Sequence, residues 1–474
     1  MKSKFQFFLI LIIISSIISC EKENFYDASD IIKLEFSQDT IMFDTIFTTI
    51  GTSTKYLTVK NPYAKTVRIS SIYLAGGNNS PYRINIDGFS GTKLDNYEIK
   101  GKDSLYIFIE VTIDPNNSDL PLVVNDSIIF AYKSNTQDVN LVSWGQDVNL
   151  INGEENGIIQ GTQYWANNKP YLIYNSMLID TNSTLTIAPG TKLHFHKNSR
   201  LYVLGTIIAD GTFEEPIIFQ GDRPEEDYDN IPGQWDGIWL MAGSNDNIFD
   251  FTEIKNAIIG IQVDTLANEL KPTLQLSNSK ILNMTAVGLY AQGSTIEAHN
   301  NVIGNCGQFA VALTLGGSYS FYHCTIANYW GYSTRTTPSV LLNNYYIDVN
   351  NNLQTRPLDK AIFGNCIIYG NKESELFLDK EESENFNFLF DHTLIKVDED
   401  FSTADNNYFK NIIVNNDPTF QSPYDNNYEL DTLSVAKDYG SLEYGNLFPL
   451  DMNLNNRTND NGPDLGAFER IENQ

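Results

Sequence analysis

The chain has 474 residues, of which 31 are Lys or Arg and 59 are Asp or Glu, so its formal net charge at pH 7 is −28. A nucleic-acid-binding protein needs a basic footprint, and so acidic a chain offers none overall. Aromatic residues make up 12% of the chain, and Val, Ile, Thr, Tyr and Phe cluster in short runs between turn residues. This pattern predicts an all-β protein that is long enough for more than one domain.

The N-terminal segment, residues 1–19, has the pattern of an export signal. Lys2 and Lys4 precede a nearly unbroken apolar run over residues 5–14, which is too short to span a membrane. Residues 17–20 read IISC and resemble the lipobox of bacterial lipoproteins. The resemblance implies that residues 1–19 are a signal peptide, that Cys20 is lipidated, and that the lipid holds the protein to a membrane. A simple secretory signal is the alternative.

Residues 20–30 are polar and are predicted to be a tether, and residues 31–150 contain alternating apolar runs separated by turns such as Asn61-Pro62 and Gly76-Gly77. At least seven such runs predict an immunoglobulin-like β-sandwich. The pieces LTVKNP, LYIFIEVTIDP and DSIIF resemble the Ig-like domains beside the lipid anchor of Bacteroidetes-type surface proteins. Glu21 and Glu23, soon after Cys20, resemble the export signals of such proteins. Together these resemblances imply an outer-membrane protein, lipid-anchored on the periplasmic or the cell-surface side, with this domain as a spacer or docking module.

A shorter repeat begins near residue 160. From Thr184 to Phe219, four β-type runs are closed by Gly, Pro, Asn or Asp at intervals too short for crossover helices. Such spacing predicts a solenoid of parallel strands. The segments APGTKLHF, LYVLGTIIADGT, PIIF and QWDGIWL resemble the opening turns of right-handed parallel β-helix proteins with the pectin-lyase-like fold. The resemblance implies a right-handed parallel β-helix over residues 160–474.

Asn and Cys recur at similar places in this repeat. Asn tolerates left-handed backbone, so we interpret the repeated Asn residues as corners with a structural role before a ligand-binding one. Cys306, Cys324 and Cys366 stand in similar contexts, and the interval between the first two is close to one predicted turn of the solenoid. We expect all three to be equivalent inward-facing free thiols, because an odd number argues against a disulfide framework. No C-x-x-C or H-x-x-x-H spacing indicates a metal site there.

The C-terminal segment carries a D-x-G-A-aromatic-E motif at residues 464–469. This motif, after Asn416-Asp417-Pro418, resembles the closing segment of many bacterial β-helix proteins. We interpret the charged residues of this segment as a network that caps the last turn of the helix, not as catalytic groups. The four residues of this expected cap network are Asp438, Arg457, Asp464 and Glu469.

Residues 330–360 are the longest interruption of the repeat. Insertions in solenoids emerge as loops, often at the binding face. Aromatic rings stack on sugars, and Arg forms paired hydrogen bonds with carboxylate or sulfate; packing of the loop onto the helix is the alternative role. The candidate ligand-binding residues are Trp330, Tyr332, Arg335, Tyr345, Tyr346 and Arg356.

A run of carboxylates over residues 221–229 is a possible Ca²⁺ ligand set. It lacks the fixed spacing of a calcium loop with its Gly and distal Glu. We therefore assign no metal and no cofactor, and retain Ca²⁺ as an alternative.

The predicted groove strands are nearly bare of ionisable groups, and Asp236, Gln262 and Asp264 are the polar exceptions. A lyase needs a base beside a uronic carboxylate, and a glycoside hydrolase needs clustered carboxylates. The sequence therefore favours a non-catalytic envelope lipoprotein that binds a polysaccharide or a surface protein and no nucleic acid. A polysaccharide lyase or glycoside hydrolase acting on an acidic or complex glycan is the alternative, and no catalytic residue is assigned.

Overall fold

The computed structural model describes Phe25 and residues 31–47, 54–113, 122–133, 135–264 and 271–471. The chain divides into two compact units, one ending at Asp147 and the other beginning at Val148. The expected signal peptide, Cys20 and the tether, apart from Phe25, lie outside the described residues. Within those residues no helix is both long enough and apolar enough to cross a bilayer.

The first unit is a β-sandwich. Its strands, numbered along the chain, are β1 (Glu35–Phe36), β2 (Thr40–Phe47), β3 (Lys55–Lys60), β4 (Val67–Leu74), β5 (Tyr82–Ile86), β6 (Phe89–Gly91), β7 (Lys93–Ile99), β8 (Ser104–Val111), β9 (Leu122–Ala131) and β10 (Thr136–Gln146).

These strands form two five-stranded sheets, in the orders β1-β3-β8-β5-β6 and β2-β10-β9-β4-β7. Neighbours are antiparallel, except that β2 and β10 run parallel. In β8, buried Leu105, Ile107, Ile109 and Val111 alternate with exposed or half-buried residues, because one face of the sheet packs on the core.

The second unit is a β-helix built from three long parallel sheets. Sheet A contains β11 (Asn149–Asn152), β14 (Tyr171–Tyr174), β17 (Lys192–Phe195), β20 (Ile217–Gly221), β23 (Thr252–Lys255), β26 (Lys280–Met284), β29 (Val302–Cys306), β32 (Thr325–Asn328), β37 (Ile367–Gly370), β40 (Leu394–Ile395) and β42 (Ile413–Val414). Sheet B contains β12 (Ile158–Ile159), β15 (Met177–Ile179), β18 (Arg200–Val203), β21 (Trp235–Leu240), β24 (Ala257–Val263), β27 (Val287–Gln292), β30 (Val311–Thr314), β33 (Val340–Asn343) and β38 (Leu376–Asp379). Sheet C contains β13 (Thr162–Trp165), β16 (Thr184–Ile187), β19 (Thr206–Asp210), β22 (Asn247–Asp250), β25 (Leu274–Ser277), β28 (Thr295–His299), β31 (Gly317–Tyr322), β36 (Leu358–Gly364), β39 (Phe386–Asp391) and β41 (Phe409–Lys410).

One rung, meaning one full turn of the β-helix, contributes a strand to each of the sheets A, B and C. The prediction of an all-β chain with a β-sandwich followed by a β-helix is therefore confirmed.

From Phe251 onward, the corner from sheet C to sheet A contains one residue in the left-handed conformation. Asn adopts this conformation more readily than most L-residues, and neighbouring corners bond to one another. Asn300 Nδ2 donates to Asn278 Oδ1 at 3.0 Å, which confirms the interpretation of these Asn residues as corners. The corner residues are Phe251, Asn278, Asn300, His323, Asn365, His392 and Asn411, with φ between 42° and 55°.

The register between rungs fixes the core as vertical columns of like residues. On sheet C, the rings of Phe321, Phe363 and Phe390 stack at centroid distances of 5.0 and 4.9 Å. On sheet A, the inward column consists of Leu193, Phe219, Ile254, Ile281, Ile303, Ile326, Ile368 and Ile395.

The three cysteines are buried in this core, but only two of them are equivalent. Cys324 and Cys366 occupy the same position on neighbouring rungs, because the residues that follow them are paired in register. Cys306 pairs with Met284 at the far end of its strand. The expectation that Cys306 and Cys324 are equivalent is wrong, because the rung that joins Val302 to Thr325 is longer than the interval between the two cysteines.

The C-terminal segment, residues 416–471, lies along the outer face of sheet A; we call it the C-terminal strap. Its elements are β43 (Phe420–Ser422), β44 (Asn427–Leu430) and the short helix α1 (Leu442–Leu447). Strap residues such as Tyr428 and Leu465 pack on outward-facing Val302 and Ile367 of sheet A. The expected end cap is therefore wrong in its position, since the segment braces the side of the helix.

The expected charge network lies inside this strap. Arg457 is completely buried, and its guanidinium donates to Glu469 at 3.2 Å and to Asn300 at 3.0 Å. The Asp464 amide donates to the Glu469 carboxylate, and the Asp464 carboxylate accepts from the Asp438 amide at 2.7 Å. Burial raises the pKa of Asp464 to about 6. The network joins the motif at residues 464–469 to the corner residue Asn300.

Replacing Arg457 is expected to destabilise the strap strongly. Arg457→Met removes the buried cation beside Glu469, whose pKa burial raises to about 9, and removes the donor to Asn300. Unfolding in urea should therefore show a loss of about 3–5 kcal/mol. Lys271→Met is the control, because Lys271 pairs with Asp246 at 3.0 Å on the exposed surface and should cost less than about 1 kcal/mol. Equal effects of the two substitutions would contradict this account.

The buried thiols are expected to be inert in the folded chain. Burial raises the pKa of Cys306 to about 12, and the thiolate is the reactive form. With the chain from residue 21 onward, a maleimide should label Cys306, Cys324 and Cys366 only after unfolding, as counted by intact mass. Labelling of any of them at the rate of a free thiol under native conditions would contradict the burial.

Candidate functional site

An open groove lies at the corner from sheet A to sheet B, with a volume of about 310 Å³. We call it the corner groove. It is bounded by the connection between β20 and β21, by the connection between β32 and β33, and by the strap. Its lining residues are Asn230, Asn283, Asn305, Tyr329, Trp330, Gly331, Tyr332, Tyr424, Asp425 and Asn426.

Three Asn residues of the groove stand where the backbone is left-handed. Asn283 and Asn305 occupy the same register position on neighbouring rungs, with φ of 62° and 52°, and Asn426 in the strap has φ of 61°. Asn is favoured at these positions because it tolerates left-handed backbone better than most L-residues. As a consequence, side-chain amides line the groove.

Asn230 ties the walls of the groove together. Its side-chain oxygen accepts from Asn283 at 3.2 Å and from Asn426 at 3.4 Å. Its backbone carbonyl accepts from the Tyr332 hydroxyl at 2.7 Å, and Asn305 donates to Asn426. These bonds join distant segments of the chain, so the groove is preformed, which reduces the ordering cost of binding.

Aromatic rings form the sides of the groove in two pairs. Trp330 is buried and lies 5.1 Å from Tyr332, whereas Tyr329 meets Tyr424 edge-on at 5.4 Å. Tyr332 is 54% exposed and Tyr424 is 70% exposed. Burial raises the pKa of Tyr329 and of Tyr332, so both phenols stay protonated at neutral pH. Two accessible ring faces therefore lie beside hydrogen-bonding amides.

Arg335 lies away from the ligand-accessible surface. Its guanidinium forms two hydrogen bonds to Glu375, at 2.6 and 2.8 Å, and both side chains are almost completely buried. It also donates to the carbonyl of Asn328 at 3.0 Å. Arg335 thus attaches the connection between β32 and β33 to the next rung, and its guanidinium is not accessible to a carboxylate ligand.

Tyr345, Tyr346 and Arg356 lie at a different corner. The strand β33 divides residues 330–360, and a hairpin of β34 (Tyr345–Ile347) and β35 (Leu353–Thr355) follows it at the corner from sheet B to sheet C. The Tyr345 hydroxyl donates to Asp379 at 2.9 Å, and Tyr346 is exposed. The expected single binding loop is therefore two separate features, and only Trp330 and Tyr332 reach the groove.

A second polar and aromatic surface runs along the outer face of sheet B. Trp239 Nε1 and Gln262 Nε2 both donate to Asp264, at 2.9 and 3.2 Å. The Arg200 guanidinium lies 5.6 Å from the Trp239 ring. We call this surface the outer row, formed on successive rungs by Tyr202, Trp239, Gln262 and Tyr290.

Two carboxylates flank the outer row and have separate partners. Asp236 lies beside Ile258 in register and contacts Arg200 at 3.7 Å, whereas Asp264 follows the other end of β24 and accepts from Trp239. Six strand positions separate the backbones of the two residues by roughly 20 Å. Glycoside hydrolases place their two carboxyl groups about 5–9.5 Å apart. In the corner groove, Asp425 is the one carboxylate among the lining residues, and it accepts from Ser422.

Three carboxylates of residues 221–229 pair with neighbouring basic side chains. Asp222 contacts His196 at 2.7 Å, Glu225 pairs with Arg223, and Asp229 pairs with Lys255 at 3.0 Å. Over the residues that the structure describes, no group of three His, Cys, Asp or Glu side chains is arranged to hold a metal ion.

Comparison with known proteins gives no family. No known family profile matches the chain, and no curated protein matches it. Among solved structures, the catalytic unit of a thermostable GH87 α-1,3-glucanase from Streptomyces thermodiastaticus strain HF3-3 is 10% identical with a TM-score of 0.33, covering 76% of this chain and 75% of that chain. PapD-like domain 7 of human CEP192 is 10% identical with a TM-score of 0.17, covering 26% and 97%. At these TM-scores neither likeness assigns an activity or a ligand.

Several groove residues were missed by the sequence analysis. Asn283 and Asn305 recur one rung apart in the repeat, and this spacing was a usable signal. Asn230 and Tyr424 come from segments far apart in the chain, so no local pattern could place them together. The outer row likewise depends on the register between rungs.

Proposed function

We propose that this protein is a cell-envelope lipoprotein whose β-helix binds a neutral glycan in the corner groove. The observation that supports this most directly is the pair of exposed rings, Tyr332 and Tyr424, beside a preformed network of side-chain amides. Rings stack on the apolar faces of sugars, while a few fixed polar groups set their orientation.

The charge of the groove favours a neutral ligand. Its ten lining residues include no Lys, Arg or His, and Asp425 contributes a carboxylate. A uronic or sulfated sugar would meet that carboxylate without a compensating cation. The groove therefore favours neutral hexose polymers over acidic ones.

The attachment to the envelope rests on the N-terminal sequence. The apolar signal and the lipobox-like residues 17–20 support lipidation of Cys20. We propose that this lipid attaches the protein to the outer membrane, on either side. The sandwich then serves as a spacer between the lipid and the β-helix.

A glycoside hydrolase or polysaccharide lyase is the second candidate. The outer row is the observation in its favour, since it places Asp264, Arg200 and Asp236 along one accessible sheet face. The separation of those carboxylates favours binding over hydrolysis.

Removing the two exposed rings is expected to weaken glycan binding about tenfold or more, since each ring contributes about 0.5–1.5 kcal/mol beyond its buried area. The change is Tyr332→Ala with Tyr424→Ala in the chain from residue 21 onward. The unaltered chain is first screened for binding to a panel of neutral and acidic glycans. Affinity for the polysaccharide that it binds would then be measured by calorimetry. The melting temperature should change little, because both rings are exposed.

Tyr164→Ala is the matched control, because Tyr164 is 66% exposed on sheet C, away from the groove. Equal losses in the control and the double variant, or selection of acidic glycans alone, would contradict the proposal. Release of new sugar ends from the bound polysaccharide would favour the enzyme alternative.

A further inference from the structure

Two turns at one end of the sandwich are joined into a single rigid surface. Asn61 is completely buried, and its side-chain amide donates to the carbonyls of Lys65 at 2.9 Å and of Lys100 at 3.0 Å. The Lys102 amide donates to the Tyr63 carbonyl at 2.8 Å. The turn between β3 and β4 and the turn between β7 and β8 are therefore locked together.

This surface gathers positive charge. Its four lysines are exposed at the same end of the sandwich, and we call this surface the lysine end; it consists of Lys60, Lys65, Lys100 and Lys102. The acids beside it are Glu35, 3.8 Å from Lys60, and Asp103, which caps the start of β8.

The lysine end is a local positive surface on a unit whose net charge is negative. Residues 20–147 contain 11 Lys or Arg against 17 Asp or Glu, and residues 148–474 contain 18 against 42. A cluster of cations on such an acidic chain produces a local positive potential, which attracts anionic groups at short range.

Phe25 contacts the sandwich at the same end. Phe25 forms a parallel bridge with Thr66, next to Lys65, and its ring lies 4.5 Å from the Arg68 guanidinium. Cys20 precedes Phe25 by five residues, and an extended chain spans at most about 3.6 Å per residue. The Cα atom of Cys20 therefore lies within roughly 18 Å of the Phe25 Cα.

We propose that the lysine end is a membrane-docking surface that binds the phosphates of anionic lipid headgroups around the anchor. The proposal rests on the lipid anchor at Cys20 in the proposed function. The short tether holds these lysines within reach of the bilayer, where each Lys or Arg near an anionic surface adds to binding. The docked lysines orient the sandwich, while the acidic remainder of the chain is repelled from the same surface.

The test uses the chain from residue 21 onward, which lacks the lipid. Binding is measured at low ionic strength by co-sedimentation with vesicles of phosphatidylglycerol and phosphatidylcholine, and with vesicles of phosphatidylcholine alone. The variant is Lys60→Gln with Lys65→Gln and Lys100→Gln. The control removes the same charge at the opposite end of the sandwich, with Lys55→Gln, Arg83→Gln and Lys93→Gln.

The expected result is salt-sensitive binding to the anionic vesicles alone, weakened at least about tenfold in the lysine-end variant and little changed in the control. Equal losses in the two variants, or no binding of the unaltered chain to anionic vesicles, would overturn the proposal. Matching melting temperatures of the two variants show that both are folded.

The anchor and the glycan site are tested separately. An unmodified Cys20 in the N-terminal peptide of the membrane-extracted protein, read by mass spectrometry, would overturn the anchor and the docking geometry together. Vesicle binding that fails while glycan binding persists overturns the docking surface alone.

Discussion

The corner between sheets C and A is the constraint on which the β-helix depends. From the rung of Phe251 onward, each of these corners contains one residue in the left-handed conformation, as at Asn278, Asn300 and Asn365. Because at most two residues separate the strands at these corners, the strands of successive rungs stay in register, and each inward position repeats as a column. Asn at the corner adopts this backbone at a lower cost than other L-residues and bonds to the next corner.

The same register determines where apolar residues lie on the outer face of the β-helix and have to be buried by another segment. Along one outer column of sheet A, the successive residues are Lys192, Ile218, Glu253 and Lys280 on the earlier rungs, and Val302, Thr325, Ile367 and Leu394 on the later ones. The C-terminal strap buries the apolar part of this column. Packing of the strap also brings residues 424–426 to the corner groove, so the groove depends on the strap as well as on the rungs.

The all-β class, the sandwich and the solenoid were predictable because apolar runs and turn residues are local signals. The corner role of Asn was predictable for the same reason. The equivalence of Cys306 and Cys324 was predicted wrongly, because the interval between them is near a rung length but shorter than the rung at that place. Arg335 was predicted to bind a ligand, because the sequence alone does not show that Arg335 forms an ion pair with Glu375, which is distant in the chain. Tyr345 and Arg356 were predicted to share one binding loop with Trp330, because the strand β33 between them was not recognised as a strand in the sequence.

Hydrogen exchange with and without the selected neutral polysaccharide is the most direct measurement of the central claim, that the corner groove is the ligand site. Slower exchange is predicted in the segments that contain Asn230, Tyr329–Tyr332 and Tyr424–Asn426, with the hairpin at residues 345–355 unchanged. Protection confined to that hairpin or to the outer row on sheet B would contradict the account.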